Sequence, residues 1–481
     1  MKKLINRLNM RNVVAALLVL VFFGAIMFYQ THKPLPEGIS YEGQVFRTDD
    51  VNFLYDLSYK DKSGNFHHES RIFERVNEMI AEAEDFVVID MFLFNSYYDG
   101  DHDMPDLAGN LTKTLIEKKR SNLEIEMVFI TDHINTTYGS HHAPEVQQLK
   151  ENGIKVMYTD LKPLRDSNYV YSAVWRTFFQ WFQSEPEDDG WLPNPLASTA
   201  PDVTLRSYLE LLNVKANHRK VVVTDQSSLV TSANPHNASG LHSNIAFEVG
   251  GPIIGDILET EKAAARYSDG PQLPDYQGTQ SSGGSIKVQV LTEGKIYKRA
   301  LAELDQAGKG DTVWLGMFYL AEREVIDGLV NAARRGADVR IILDPNQNAF
   351  GNQKMGLPNI PVASELEERG EDNIHIRWYN TKMEQYHTKL LYIKKEDKAT
   401  ILGGSTNYTT RNFEDLNLET NLWVETPLDQ EINQELSNYF NRIWDNEDAL
   451  YTEKFSEKEY EMSWVKYIGY RIQKLLNFTT Y

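Results

Sequence analysis

The chain contains no cysteine. That excludes a disulfide framework, a thiolate nucleophile and a Cys-ligated zinc site. The core of this 481-residue protein must therefore hold by packing alone. At roughly 150 residues per domain, the length suggests two or three core-forming units. Positive charge is also scarce: 49 Lys and Arg stand against 69 Asp and Glu, for a net charge of −20. Proteins that wrap nucleic acid draw most of their affinity from basic surface, so nucleic acid is not the expected partner. A few converging cations could still hold a small anionic ligand. No metal-ligand spacing occurs; His141 and His142 are adjacent in a loop, and adjacent residues converge poorly on one ion. No metal or cofactor is called for, and the sequence sets no oligomeric state.

Long apolar runs are absent except for one, Val13 to Tyr29, which follows Lys2, Lys3, Arg7 and Arg11. It is at the short limit for a membrane-spanning helix, and a signal-peptide core would also follow a positive stretch. No small-x-small cleavage site comes after it, since Phe28, Tyr29, Gln30 and His32 are bulky or polar, which favours an uncleaved anchor. The expected layout is a cytoplasmic tail (1–11), a transmembrane anchor (12–30) and everything further on outside the cytoplasmic membrane.

With 41% hydrophobic and 25% charged residues, the rest reads as globular. Residues 270–285 are rich in Gly, Pro, Ser and Gln without apolar periodicity and read as a linker between lobes at 40–269 and 286–450. The lobes look alike. In the first, strands are predicted at Asp85–Phe94, Leu123–Asp132 and Ile154–Tyr158, with helices at Leu107–Lys119 and Ala143–Asn152. In the second, strands fall at Asp311–Leu320, Ala337–Asp344 and Ile374–Tyr379, with helices from Arg323 to Arg335 and up to Gly370. The alternation argues α/β sheets flanked by helices, and the same order twice argues a duplicated unit.

The first lobe carries an extra insert at 160–210, with an aromatic stretch, Tyr169 to Phe182, and a Pro/Asp/Glu-rich loop. It fits a helix packed on its own domain, and it fits a lid or membrane-facing patch beside a site. The tail from 451 to 481 reads as an amphipathic helix: Trp464, Val465, Ile468, Ile472, Leu475 and Leu476 share a face. It fits membrane association and docking on the protein equally.

Two motifs carry the chemistry. His218-x-Lys220 leads into a β-rich run, a turn and a second run ending in Ser232-x-Asn234. His387-x-Lys389 leads through the same sequence of features to Ser405-x-Asn407. On a strand, residues two apart share a side, so each His–Lys pair is expected on one face. A phosphodiester is anionic and repels nucleophiles. Two ammoniums, two amides and two hydroxyls could cradle its non-bridging oxygens. One imidazole could attack phosphorus while the other protonates the leaving alkoxide and later activates the acceptor.

This pattern resembles the phospholipase D superfamily, whose hallmark is a pair of His-x-Lys-x4-Asp motifs followed by Gly-Ser-x-Asn. The resemblance covers about 40–450. It implies a bilobal α/β fold, two mixed sheets flanked by helices, with one site on a pseudo-two-fold interface and phosphohistidine chemistry. The anchor makes the chain look like the cardiolipin synthase and bacterial phospholipase D-like branch, although full synthases usually have two N-terminal spans. A nuclease or other phosphodiesterase of the superfamily is the alternative, hinted at only by cations such as Lys118 to Arg120; a catalytically inert binding protein is the other. Asp225 falls at the family's Asp position. In the second motif that position is Lys394, and an extended turn would let Asp397 serve. Thr231 stands where the family has Gly. The family's carboxylate after Ser-x-Asn, which orients the histidine of the other half, is matched by Glu419. In the first lobe His242 holds that place, with Glu248 the nearest acid. On this resemblance His218 is the nucleophile, His387 the acid/base, and a membrane phospholipid the substrate.

Overall fold

The structure is a computed structural model that describes residues 10–99, 103–182, 190–278, 283–349, 352–353, 355–369 and 372–455. The predicted C-terminal helix containing Trp464 lies outside the described residues.

The strands, in chain order, are β1 (Phe46–Thr48), β2 (Val51–Asp61), β3 (Phe66–Glu69), β4 (Phe86–Met91), β5 (Glu126–Thr131), β6 (Lys155–Tyr158), β7 (Lys220–Thr224), β8 (Ser227–Thr231), β9 (Asn244–Gly250) and β10 (Ile286–Thr292). They continue with β11 (Thr312–Met317), β12 (Asp338–Leu343), β13 (Asn348–Ala349), β14 (Asn352–Gln353), β15 (Ile374–Tyr379), β16 (Lys389–Lys394), β17 (Lys398–Gly404), β18 (Thr420–Pro427), β19 (Ala449–Leu450) and β20 (Thr452–Lys454). They build two nine-stranded mixed sheets. One runs β19-β2-β9-β8-β7-β4-β5-β6 with β3 on β2; the other runs β1-β10-β18-β17-β16-β11-β12-β15-β20. Strand for strand, β2-β9-β8-β7-β4-β5-β6 repeats as β10-β18-β17-β16-β11-β12-β15. The duplication read from sequence is thus a duplication of topology.

Each sheet is buried on both faces, which explains its near-continuous apolar strands. Alternation sorts them. In β7, Val221 and Val223 join a core shared by the two sheets, while Val222 joins the core under the outer helices Ile72–Glu82, Leu107–Ser121 and Pro144–Glu151. In β16, Leu390 and Tyr392 face the shared core. Leu391 and Ile393 face the outer helices Gly294–Gln306, Arg323–Arg334 and Asn359–Glu368. Two helices end in glycines with left-handed backbone, Gly153 at φ +81° and Gly336 at φ +97°, where a side chain would be strained.

The lobes also exchange strands. β1 pairs with β10 in the second sheet, and β19 pairs with β2 in the first. Residues 270–278 form no helix or strand, yet Leu273 and Tyr276 pack on the shared core. The connection is therefore attached to the protein along part of its length.

The N-terminal helix runs Met10–His32. Its segment Arg11–His32 is long and apolar enough to cross a membrane, and it is not buried in the protein. The insert helix Tyr169–Phe178 packs beside it, with the rings of Phe23 and Phe178 6.2 Å apart.

The motif acids fall away from the histidines. Asp225 sits in the turn between β7 and β8, five residues beyond Lys220 and so roughly 16 Å along the strand. Its carboxylate accepts the backbone N–H groups of Glu84, Asp85 and Phe86 at 3.0, 3.1 and 3.4 Å, clamping the start of β4. Asp397 occupies the matching turn between β16 and β17 and is exposed. The strands that present the histidines thus carry these acids off to their opposite ends. Burial pushes Asp225 up, but the Asp85 N–H, the Gln226 amide and the Glu84 N–H outweigh it and hold the carboxyl below its ordinary value. Asp225→Ala is expected to cost about 1–3 kcal/mol of stability, as for a lost multi-bond acceptor, with turnover per folded molecule unchanged. Because the folded carboxyl is depressed, its contribution is present above the ordinary carboxylate range and fades as pH falls through the folded value. Thermal melts of the two proteins should therefore converge in acid.

Candidate active site

Both motifs lie on the seam between the sheets. His218 and His387 lie two residues before the starts of β7 and β16, and each is fastened to the other lobe. The His218 N–H donates to the Leu418 carbonyl and the His387 N–H to the Ser243 carbonyl, both at 2.9 Å. The rings are fastened the same way. His218 Nδ1 lies 2.9 and 3.1 Å from the two Glu419 carboxylate oxygens. His387 Nδ1 lies 3.1 Å from Asn244 Oδ1. A carboxylate can only accept, and Asn244 Oδ1 already accepts the Ser232 hydroxyl at 3.0 Å. Both histidines therefore carry their proton on Nδ1 and leave Nε2 with a free lone pair.

The two halves make matching backbone bonds here. The Ser232 N–H bonds the Ile245 carbonyl at 2.9 Å and the Ser405 N–H the Thr420 carbonyl at 3.0 Å. Asn244 is thus the counterpart of Glu419. The place that the sequence match gives to His242, with Glu248 as the nearest acid, is therefore held by Asn244. Ser232 and Asn244 are 12 positions apart and Ser405 and Glu419 are 14, so the return to β9 is two residues shorter, whereas matching Leu241-His242-Ser243-Asn244 to Leu418-Glu419-Thr420-Asn421 makes it four shorter and stops at His242. Glu248 instead takes a two-point bond from Arg75, at 2.9 and 2.8 Å. His242 stays in the cavity: its Nδ1 accepts the Gln385 N–H at 3.2 Å, so its proton sits on Nε2. Its ring centroid is 5.9 Å from that of His387.

Ser232 and Ser405 are not among the residues that line the cavity. Ser405 Oγ donates to Glu419, Ser232 Oγ to Asn244, and each oxygen accepts a backbone N–H, from Thr420 and Ile245. They lock the residues that hold the histidines. Asn234 and Asn407 do line the cavity. The lysines lie beneath the histidines, fully buried. The Lys220 ammonium donates to the His218 carbonyl at 2.8 Å and the Lys389 ammonium to the His387 carbonyl at 2.7 Å. Each also stands over an aromatic ring, Phe92 at 5.2 Å and Phe318 at 5.1 Å. Those rings in turn meet the imidazoles edge-on, both at 5.0 Å and 61°.

Asp132 and Asp344 form a pair that sequence reasoning missed. Asp132 accepts the Asn217 N–H at 2.7 Å and Asp344 the Tyr386 N–H at 2.7 Å. They fix the peptide just before each histidine. Burial pushes both carboxyls up, to about 7. Each closes a central parallel strand (β5 or β12), which offered a signal had the strand ends of the two halves been compared.

Burial dominates the electrostatics. It pulls His218 down to about 4 against the opposing pull of Glu419, and it pulls Lys220 down to about 7. His387 and Lys389 are also pushed well down, by burial first and then by neighbouring positive groups, with no carboxylate at bonding distance. Glu419 is raised by burial but lowered further by His218, Lys220 and Ser405, so it stays ionised. An anion entering the site would restore charge to these groups and be held by it.

The cavity above them is about 700 Å³. Its lining includes His218, His387, Asn234 and Asn407, and part of its wall comes from the insert, including Leu196 and Tyr208. Among the described residues, no cluster of His, Asp and Glu could hold a metal ion.

A bilobal α/β architecture with one cavity on the seam of a duplicated sheet defines a phospholipase D-like fold. Residues 300–444 match the family model described as cardiolipin synthase, PLD-like domain. Across 91% of this chain and 96% of the other, the fold is similar to that of phosphatidylserine synthase from Haemophilus influenzae Rd KW20, at 11% identity and a TM-score of 0.59. Lower similarity is found to polyphosphate kinase from Porphyromonas gingivalis (12% identity, TM-score 0.45, 89% of this chain and 53% of that one). Nuc, a phospholipase D family member from Salmonella typhimurium, matches with 17% identity and a TM-score of 0.27 over 34% of this chain and 97% of its own. No curated protein matches the sequence. The family-model match contains the second motif, His387 to Asn407, and the fold similarity spans both lobes.

The unequal partners give a direct test. A carboxylate favours the charged imidazolium and an amide does not. Replacing Glu419→Gln should lower the His218 pKa and Asn244→Asp should raise that of His387, each by about one pH unit or more, read from imidazole ¹⁵N shifts. A His387 titration unmoved by Asn244→Asp would contradict the cross-lobe pairing.

Proposed function

We propose that the chain is a membrane-anchored phospholipase D-type phosphodiesterase or phosphatidyltransferase acting on glycerophospholipids outside the cytoplasmic membrane. The observation that carries this reading is the facing pair of histidines, each with Nδ1 engaged by the other lobe and Nε2 free. His218 is the nucleophile. Its Nε2 lone pair forms a bond to phosphorus as the bond to the leaving alkoxide breaks, and Glu419 balances the positive charge of the phosphorylated ring. His387, which gains a proton when the anionic substrate enters, delivers it to the alkoxide. His387 then takes a proton from water or a lipid alcohol, whose oxygen attacks phosphorus and releases His218. Lys220, Lys389, Asn234 and Asn407 stabilise the non-bridging oxygens as charge builds. The apolar insert wall and the apolar N-terminal helix favour a lipid over a polynucleotide, as does the net charge of −20.

A short-chain phosphatidyl p-nitrophenyl ester separates the two histidines, since nitrophenolate leaves without a proton. His387→Asn should release about one equivalent of nitrophenolate per chain and then stall, with a phosphatidyl adduct on His218 found by mass spectrometry. His218→Asn should release none, and its steady-state turnover should fall by about 10³-fold or more. A burst from His218→Asn with the adduct on His387 would reverse the assignment.

A further inference from the structure

The insert that walls the cavity also carries an apolar stripe aimed away from it. On the helix Tyr169–Phe178, Ser172, Ala173 and Trp175 are buried against the protein. Val170, Val174 and Phe178 point outward at four-residue spacing, and Trp181 and Phe182 continue the stripe, 72% and 66% exposed. Five large apolar side chains on one face are costly to leave in water. The stripe lies against the N-terminal apolar helix, with Phe178 on Phe23.

Its depth follows from that contact. Phe23 precedes Tyr29, the last residue of the apolar run, by six positions, or about 9 Å at 1.5 Å per residue. Interfacial helices sink their apolar faces about 5–10 Å into the headgroup–acyl boundary. Polar contacts fix the insert at the helix exit. The Asp166 N–H donates to the Gln30 carbonyl at 3.1 Å, Lys33 donates to the Lys162 carbonyl at 2.8 Å, and Arg165 donates to the Lys33 carbonyl at 3.0 Å. Asp166, almost fully buried, then pairs with Arg176 at 2.7 Å and with Lys215 at 2.6 Å. Lys215 lines the cavity three residues before His218. One continuous set of bonds thus joins the helix exit, the stripe and the site.

We propose that residues 170–182 form an interfacial docking surface that lies in the outer boundary of the bilayer crossed by the N-terminal helix, and that it sets the cavity mouth against the headgroup layer. The proposal rests on the reading of that helix as membrane-spanning. Trp181 and Phe182 are the anchors of the surface. The buried Asp166–Arg176–Lys215 group makes the insert a rigid bracket between bilayer and site.

The test uses the full chain reconstituted in phosphatidylcholine and phosphatidylglycerol vesicles. Trp181 fluorescence is taken as the difference between the wild type and Trp181→Phe. Because the chain has no cysteine, Leu20→Cys carries a single environment-sensitive label on the helix. Quenching of Trp181 by lipids brominated on the upper acyl carbons, and protection from aqueous iodide, is expected. Iodide quenching without bromolipid quenching, with the label at position 20 shielded, would overturn the docking surface and leave the anchor standing. A label exposed to water would remove the anchor and the docking surface together. Trp181→Ser/Phe182→Ser should lower turnover of vesicle phospholipid about tenfold and leave a monomeric short-chain phosphodiester unaffected. Equal loss on both substrates would overturn the positioning role. If the wild type turns over neither substrate, the proposed function fails while the fluorescence still decides the surface.

Discussion

Each imidazole at the seam is held by the opposite lobe, and the site depends on this reciprocal grip. One backbone bond and one ring bond cross in each direction, from His218 to Leu418 and Glu419 and from His387 to Ser243 and Asn244. Neither lobe alone orients a histidine. The grip also seals both lysines from water, and that burial depresses the pKa of all four groups. Groups held short of charge by burial favour an anion and a proton entering together. Strand exchange through β1 and β19 reinforces the seam, since each sheet is completed by a segment from the other end of the chain.

The two halves share geometry but differ in chemistry. Around the first motif the buried support is ionic. Asn217 donates to both oxygens of Asp90 at 2.9 and 2.8 Å, and the fully buried Arg219 pairs with Glu293 at 2.9 Å and Glu261 at 3.4 Å. Glu293 also accepts the Glu419 N–H at 3.0 Å, so Arg219 helps set the carboxylate that holds its neighbouring histidine. Around the second motif the same positions are aromatic and neutral. Tyr386 replaces Asn217, Thr388 replaces Arg219, and Gly316 replaces Asp90, where a Cβ would come within 2.5 Å of the Tyr386 hydroxyl. Breaking a buried ion pair typically costs about 3–5 kcal/mol, so the ionic half tolerates less change. Charge around the first motif and neutrality around the second fit the proposed division of labour, with His218 carrying phosphorus and His387 giving up a proton.

Much of this was legible in the sequence because it repeats. Paired His-x-Lys and Ser-x-Asn motifs, flanked by apolar runs, mark the strands and the duplication, and the family resemblance marks Glu419. What stayed hidden depends on three-dimensional register. Asn244 escapes because the local match of Leu241-His242-Ser243-Asn244 to Leu418-Glu419-Thr420-Asn421 is offset by two from the true pairing, which puts His242 at the place and leaves Glu248 as the nearest acid. Asp225 was at the motif position, but an extended strand carries a residue five places on to its far end. The serines were read as phosphate ligands because nothing in the sequence shows that their hydroxyls turn back to Glu419 and Asn244. Asp132 and Asp344 looked like ordinary strand ends until both were seen holding the peptides before the histidines. Strand exchange through β1 and β19 leaves no local trace at all.

The central claim is that two motifs make one site. Orthovanadate, which adopts the geometry of phosphoryl transfer, tests it through its binding stoichiometry to the full chain by calorimetry. One vanadate per chain is expected, with binding abolished by His218→Ala and equally by His387→Ala. Two vanadates per chain, each lost with only one of the two substitutions, would contradict the shared site.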